Sequence, residues 1–317
     1  MDPIIIAALI GAFGAITAAV ITIVARGRQG TGSITPIKRN SKTKERSEWI
    51  NRLNDRYRGH AEIVRLVESE PKLVNRGWVK LTPRQSQKAD QIREGYIEEG
   101  WSTDPYGLLD EEPQWHDNPV LLHYRMADQA QIVALRKARK KPRVLSTSVV
   151  LCFPESQELL LHRRNRGSAT YAEHLHTVGG SYLSQAKKGC DEKSLTRTGV
   201  REVREETGLF IAGKNCPKKM LCQETATGFV QFVMIGIAVG SDQKRELLET
   251  SIWEGKYVLV PFSELPGKLI SESEKWVPSG KMHVLSWLAL GAPGCSAGVK
   301  FGTYAPEELF DRIVGSG

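Results

Sequence analysis

The chain has 317 residues, 25% of them charged and 40% hydrophobic, with a net charge of +8. That length accommodates a membrane anchor plus one or two compact domains. The five cysteines (Cys152, Cys190, Cys216, Cys222 and Cys295) form no C-x-x-C pair and have no histidine at zinc-ligand spacing, which argues against a structural zinc site and against thiol catalysis and fits a reducing compartment.

Residues 3–25 carry no charge and are rich in Ile, Ala, Val and Gly. About 20 such residues cross a bilayer core as a helix. Arg26 and Arg28 follow at once, and Asp2 is the only charged side chain ahead of the run. A cleaved signal peptide would place its positive charge before a shorter apolar core. The pattern therefore predicts a single-pass transmembrane helix, N-terminus outside and the remaining chain cytoplasmic. A buried helix of a soluble domain is the alternative. Ala7, Gly11, Ala15 and Ala19 recur every four residues, a spacing that lets membrane helices approach closely. Such a stripe suits a homo-oligomer formed through the membrane helix, and it also arises from ordinary Ala/Gly usage.

Residues 26–45 read as a basic flexible linker. Lys38, Arg39, Lys42, Lys44 and Arg46 complete a cationic cluster just inside the expected membrane helix. Such a cluster favours anionic lipid headgroups. Nucleic acid is the less favoured partner, because no aromatic platform and no nucleic-acid module accompanies the charge.

Residues 46–140 read as an α-rich segment of unknown role. Trp49, Ile50, Leu53, Tyr57, Ile63, Val64, Leu66 and Val67 suit amphipathic helix over 47–73. A second helix is expected over 83–99, irregular chain over 101–119, and a longer helix over 121–140. The last runs into a basic stretch, 136–143, which suits a solvated linker or a contact to an anionic phosphate.

Residues 144–153 then read as a buried strand. Turn residues at 154–157 lead into 158–162 as its hairpin partner. Arg163, Arg164 and Arg166 follow, then a loop and Leu175-His176-Thr177-Val178-Gly179-Gly180. Residues 201–209 read Arg-Glu-Val-Arg-Glu-Glu-Thr-Gly-Leu. On a helix, Glu202, Glu205 and Glu206 share one wall, where like charges repel by a few tenths of a kcal/mol per pair. A hard divalent cation would reverse that repulsion. A solvated helix face is the alternative. Arg201 can orient a carboxylate, and Gly208 suits the left-handed residue that ends a helix. Residues 209–212, 229–239 and 256–261 are candidate strands, with a short helix after the last.

The 201–209 run resembles the core of the Nudix box, which ends Arg-Glu-aliphatic-any-Glu-Glu-any-Gly-aliphatic. Arg201, Glu202, Val203, Glu205, Glu206, Gly208 and Leu209 all fit. The strand pair, basic strand end and Gly-Gly also resemble the family's order. Two departures stand out. Gly180 to Arg201 spans 21 positions where the pattern needs 14, and Lys193 stands where the family has Glu, with Glu192 one position away. Val178 replaces the family's usual Pro.

The resemblance covers about residues 143–292, leaving 293–317 as a C-terminal extension. It implies an α/β fold, a Nudix-like α/β/α sandwich with mixed sheet. It also implies a hydrolase that cleaves a nucleoside diphosphate linked to another moiety with Mg2+ or Mn2+. By motif position Glu202, Glu205 and Glu206 would hold metal, with Glu202 or Glu205 catalytic and Arg201 orienting them. Gly179, Gly180, Arg163 and Arg164 would contact substrate. A downstream carboxylate is expected from Glu246, Glu249 or Glu254. His174 and His176 are read as structural. The second reading is a nucleotide-binding sensor or effector that signals through its membrane helix with little hydrolysis.

Overall fold

The structure is a computed structural model that describes residues 48–99, 104–166, 171–184, 194–249 and 255–315. The expected membrane helix at 3–25, its small-residue stripe and the linker at 26–45 lie outside the described residues, as do Cys190, Glu192, Lys193 and Glu254. Among the described residues no helix is long and apolar enough to cross a membrane.

The elements in chain order are α1 (Glu48–Arg56), β1 (Glu62–Val67), β2 (Lys72–Trp78), α2 (Pro83–Glu98), β3 (Tyr106–Leu109), β4 (Leu121–Ala127), α3 (Gln129–Lys137), β5 (Val144–Phe153), β6 (Glu158–Arg164), β7 (Leu175–His176) and β8 (Val178–Ser181). There follow α4 (Leu195–Thr207), β9 (Lys218–Glu224), β10 (Phe229–Ala238), α5 (Lys244–Glu249), β11 (Gly255–Pro261), α6 (Leu265–Ser271), α7 (Pro278–Ala289) and α8 (Pro306–Val314).

All these strands join one mixed sheet with the spine β1-β9-β10-β5-β3-β4-β2. All ten residues of β5 are buried. It pairs in parallel with β10 from Val144 to Cys152. Its other edge meets β3, β8 and β6 in turn. A strand covered on both faces can be apolar without alternation, and 144–153 has that composition.

Successive residues of β5 feed two cores. Val149 and Leu151 pack with Leu195, Val203 and Leu209 on the α4 side. Val150 and Cys152 pack with residues of α1, α6, α7 and α8 on the other. Helices on both faces of a mixed sheet are the α/β/α architecture that the resemblance implies. Phe301, Leu309 and Phe310 belong to the second core, and the Phe301 ring lies 4.7 Å from that of Phe262 and 5.3 Å from that of Trp287. The expected C-terminal extension thus supplies core.

Several expected elements are corrected. The helix predicted over 47–73 ends at Arg56, and the chain turns at Gly59 with φ 84°. Ile63, Val64, Leu66 and Val67 form β1, in antiparallel register with β9. The helix predicted over 121–140 is β4 followed by α3. Leu122, Tyr124 and Met126 alternate inward along β4, and Asp128 with Gln131 forms a capping box that starts α3. Segment 46–140 is therefore not simply α-rich: its four strands belong to the shared sheet, because β-branched and aromatic residues find partners there that no isolated helix offers. Residues 209–212 form no strand, and 106–109 within the expected irregular stretch do. The helix over 83–99 and the strands at 144–153, 158–162, 229–239 and 256–261 are observed within a few residues.

Two histidines are built into the interior between β7 and α7. The His176 Nδ1 donates to the Thr177 carbonyl at 2.5 Å, and its Nε2 faces the Ser279 hydroxyl at 3.3 Å. His283 Nδ1 meets Thr177 Oγ1 at 3.1 Å, and the Ser279 hydroxyl donates to the buried carboxylate of Glu224. Burial depresses His176 to about 4, with Arg164 adding to it against the Thr177 hydrogen bond; burial also holds His283 well below the ordinary imidazole range. The folded state thus keeps both rings neutral where the unfolded chain, at about 6.5, takes up protons. Stability is complete above that value and falls as pH drops from about 6.5 toward about 4, by on the order of 1–3 kcal/mol. Urea denaturation at pH 7.5 and at pH 5.0 measures this, and equal unfolding free energies at the two values would rule it out.

Candidate active site

The wall predicted from the 201–209 run exists as the last two turns of α4. Ser194 caps the helix by accepting from Arg197 N–H at 3.2 Å. Gly208 ends it at φ 73°, and its N–H donates to the Arg204 carbonyl. Leu195, the pair Thr198 and Gly199, Val203, and the pair Glu206 and Thr207 recur at three- to four-residue steps and are buried. Thr147 of β5 donates its hydroxyl to the Leu195 carbonyl at 2.9 Å, which fastens the first turn of α4 to the central strand.

The Gly179-Gly180 pair lies on β8, in register with Ser148 and Thr147. A methyl group on Gly180 would sit 2.3 Å from the Glu202 carboxyl carbon. One on Gly179 would sit 2.1 Å from the Thr147 carbonyl oxygen, at a φ of 155°. Gly180 therefore permits the Glu202 side chain of α4 to lie against β8, and Gly179 permits β8 to lie close against β5. Glu202 fills the space over Gly180, and Glu206, 8% exposed, accepts from Gly179 N–H at 3.3 Å.

Arg201 holds the wall together electrostatically. It donates to Glu202 at 2.7 Å, to Glu205 at 2.5 Å and to the Ser181 carbonyl at 3.2 Å. Glu202 and Arg201 are mostly enclosed, whereas the Glu205 side chain is 59% exposed. The predicted triad is therefore divided. Glu202 and Glu206 turn to the glycine strand, and Glu205 turns to Arg201. Among the described residues no group of three His, Cys, Asp or Glu side chains converges as a metal cluster.

The remaining expected site residues are spread more widely. Arg163 is exposed at the end of β6, opposite Lys256 of β11. Arg164 is half-buried, and its charge is felt at His176. Glu246 and Glu249 fall on α5. Sequence reasoning missed two contributors from the N-terminal segment. Glu70, in the turn between β1 and β2, accepts from Thr196 N–H at 2.7 Å and so caps α4 from outside. Tyr124 of β4 meets Tyr182 edge-on at 5.3 Å, with the two hydroxyls 3.1 Å apart. Tyr182 is where the chain leaves β8 toward α4, so this contact fixes one end of that connection. No local motif announces any of these residues, since each acts across a long sequence separation.

No family model matches the chain, and no curated protein matches it. Among solved structures it is similar to a MutT protein from Methanosarcina mazei Go1, at 23% identity over 40% of this chain and 83% of that one, with a TM-score of 0.29. It is also similar to a bifunctional NMN adenylyltransferase/ADP ribose pyrophosphatase from Francisella tularensis complexed with AMP and a Mn ion. There the identity is 14%, the coverage is 51% of this chain and 49% of that one, and the TM-score is 0.36. A second structure of the Francisella tularensis protein gives 12% identity, 52% and 49% coverage, and a TM-score of 0.36. The chain thus spans about half the length of the bifunctional protein.

The two glycines respond differently to an added methyl. Gly179→Ala meets backbone and is expected to cost about 1–3 kcal/mol of stability. Gly180→Ala meets only the tip of a side chain, which can swing aside, and is expected to cost under about 1 kcal/mol. Adding Glu202→Ala removes that clash, so the double variant should recover part of the loss, a coupling that a denaturation cycle measures. Independent, additive effects at 180 and 202 would contradict the close approach.

Proposed function

We propose that the chain is a metal-dependent Nudix-type hydrolase that cleaves a nucleoside diphosphate linked to another moiety. The observation that carries this reading is the seating of Glu202 on Gly180 and Glu206 on Gly179, within a run that matches the Nudix core at seven positions. A bare solvated helix face has no need of carboxylates tucked over a glycine strand.

The donor set consists of carboxylate oxygens, with no nitrogen or sulfur ligand, and suits a hard cation such as Mg2+ or Mn2+. Glu202 and Glu206 would hold it, with Glu205 as the further ligand of the same wall. Such an ion, when bound, neutralises phosphate oxygens and lowers the pKa of bound water. The protein's own part is positional. Arg201 fixes Glu202 and balances part of the wall's negative charge. The glycine strand gives the two carboxylates their seats, Glu202 over Gly180 and Glu206 on the Gly179 N–H. The strand β8 and helix α4, both packed on β5, hold these groups rigid, and positioning with charge neutralisation supplies most of the rate in phosphoryl chemistry. ADP-ribose, dinucleotide cofactors, nucleotide sugars and modified nucleoside triphosphates are the substrate classes to test.

One observation favours the sensor reading. Arg201 occupies Glu205 with an ion pair, which suits a wall that binds a nucleotide without turning it over quickly. We assign it second place, because a pure binder gains nothing from three carboxylates on one turn and a half of helix.

Incubation with a nucleotide panel and Mg2+ or Mn2+ should release AMP or phosphate, and Glu206→Gln should lower the rate on the order of 100-fold or more. Full activity in that variant would remove Glu206 from the site. No cleavage, with a nucleotide that raises the melting temperature, would favour the sensor.

The uncharged run at 3–25 and the cations after it support a membrane-tethered enzyme with its catalytic domain in the cytoplasm. The full chain should stay in membranes through alkaline extraction, and a chain beginning at residue 44 should not. Release of both would overturn the tether.

A further inference from the structure

On the face of the sheet opposite α4, the end of α1 and the start of α7 flank a solvent-open pocket of about 350 Å3. Arg56, Tyr57 and His60 stand on one side, and Ser273, Trp276 and Lys281 on the other. Lys281 is 2% exposed, and its ammonium donates to the Ser273 hydroxyl at 2.5 Å. Among the described residues neither Lys281 nor Arg56 forms an ion pair with a carboxylate; Glu274 attracts Lys281 only from beyond that range. Burial, and then the charge of Arg56, pushes Lys281 down to about 8.

This arrangement is costly as it stands. A buried ammonium normally has a carboxylate beside it, and here the charge of Arg56 acts on Lys281 more strongly than that of Glu274. The helix start adds to the imbalance. Val277 caps α7 without a side-chain hydrogen bond, so the first N–H groups of this 12-residue helix leave positive partial charge toward Pro278, which lines the same pocket. The chain keeps a guanidinium, an ammonium, a hydroxyl and an imidazole around one small space, and none of them carries negative charge.

We propose that this pocket is a second anion site, separate from the α4 wall, and that it takes the phosphate group of a small ligand. A phosphate carries up to two negative charges near neutral pH and offers three or more acceptor oxygens. That matches two cations plus the Ser273 and His60 donors better than a carboxylate, which has two oxygens and one charge. The guanidinium supplies a planar fork, and the ammonium a point charge. The volume is at the low end for ligand pockets, which suits a phosphate with a small attached group. A soluble phosphorylated metabolite and a lipid headgroup share this chemistry.

The test titrates the full-length chain with inorganic phosphate at constant ionic strength, with EDTA present so that no metal recruits phosphate to the α4 wall. Melting temperature and calorimetric binding are read for the wild type, Arg56→Gln, Lys281→Met and Glu206→Gln. Phosphate at many times its dissociation constant should raise the melting temperature by about 2–4 °C in the wild type and in Glu206→Gln. The shift should shrink in Arg56→Gln and vanish in Lys281→Met. If Lys281→Met fails to fold, Arg56→Gln decides, since its side chain is exposed and its replacement leaves the core intact. An undiminished shift in Arg56→Gln, or a shift lost in Glu206→Gln alone, would overturn the proposal. Failure of the hydrolase reading would leave this outcome untouched, because no turnover is measured. Short-chain phosphatidic acid distinguishes the sources: binding about tenfold tighter than inorganic phosphate and lost in Arg56→Gln assigns a lipid headgroup, and weaker binding assigns a soluble ligand.

Discussion

The arrangement of the molecule depends on β5. Each of its ten residues is buried, and its two edges are fully engaged, by β10 on one side and by β3, β8 and β6 on the other. A strand with no free edge and no free face cannot slip, because a one-residue shift would exchange its two cores. Thr147 shows what that rigidity positions. Its hydroxyl secures the first turn of α4, and its carbonyl oxygen lies where a side chain on Gly179 would have to go. The helix and the glycine strand are thus set against one another by the same residue. Glu202 arrives over Gly180 and Glu206 at the Gly179 N–H because helix and strand are packed on the same residue.

Electrostatics refines what packing places. Three carboxylates within five residues would repel, and Arg201 offsets that repulsion by bridging Glu202, Glu205 and the Ser181 carbonyl. Glu70 adds an acceptor at the other end of α4, where the helix dipole is positive and an anionic group is favourable, whereas the carboxylates of the last turns stand at the negative end and depend on Arg201 for compensation. The opposite face of the sheet presents the reverse problem. Arg56 and Lys281 gather positive charge at the start of α7, and among the described residues no carboxylate forms an ion pair with either. One wall rich in carboxylates and one pocket rich in positive charge, on opposite faces, make two chemically distinct surfaces on one sheet.

Much of this was legible in the sequence where the signal is local. The 201–209 run predicts a helix, its face and its glycine end, because three- and four-residue spacing and a left-handed cap are properties of a single turn. The apolar run at 144–153 predicts a buried strand for the same reason. The segment from 121 to 140 has the composition of one helix, yet Asp128 and Gln131 mark a helix start in the middle of it, a local signal that the sequence carries. By contrast, nothing near residues 62–67 announces β1. Its residues fit either face of a helix or a strand, and the choice falls to β9, more than 150 residues away.

By itself, the sequence determined the chemistry available: a carboxylate wall with its own arginine, a pair of glycines, an uncharged run of bilayer length and cysteines without zinc spacing. These are matters of residue type and short-range periodicity, which a chain carries whether or not it is folded. Only the tertiary structure decided how that chemistry is shared out. It turned Glu202 and Glu206 to the glycine strand and Glu205 to Arg201, recruited Glu70 and Tyr124 to the region of α4, and left Arg56 and Lys281 facing one pocket. Such choices depend on which distant segments meet across a sheet, and long-range packing is not encoded in any single stretch of residues.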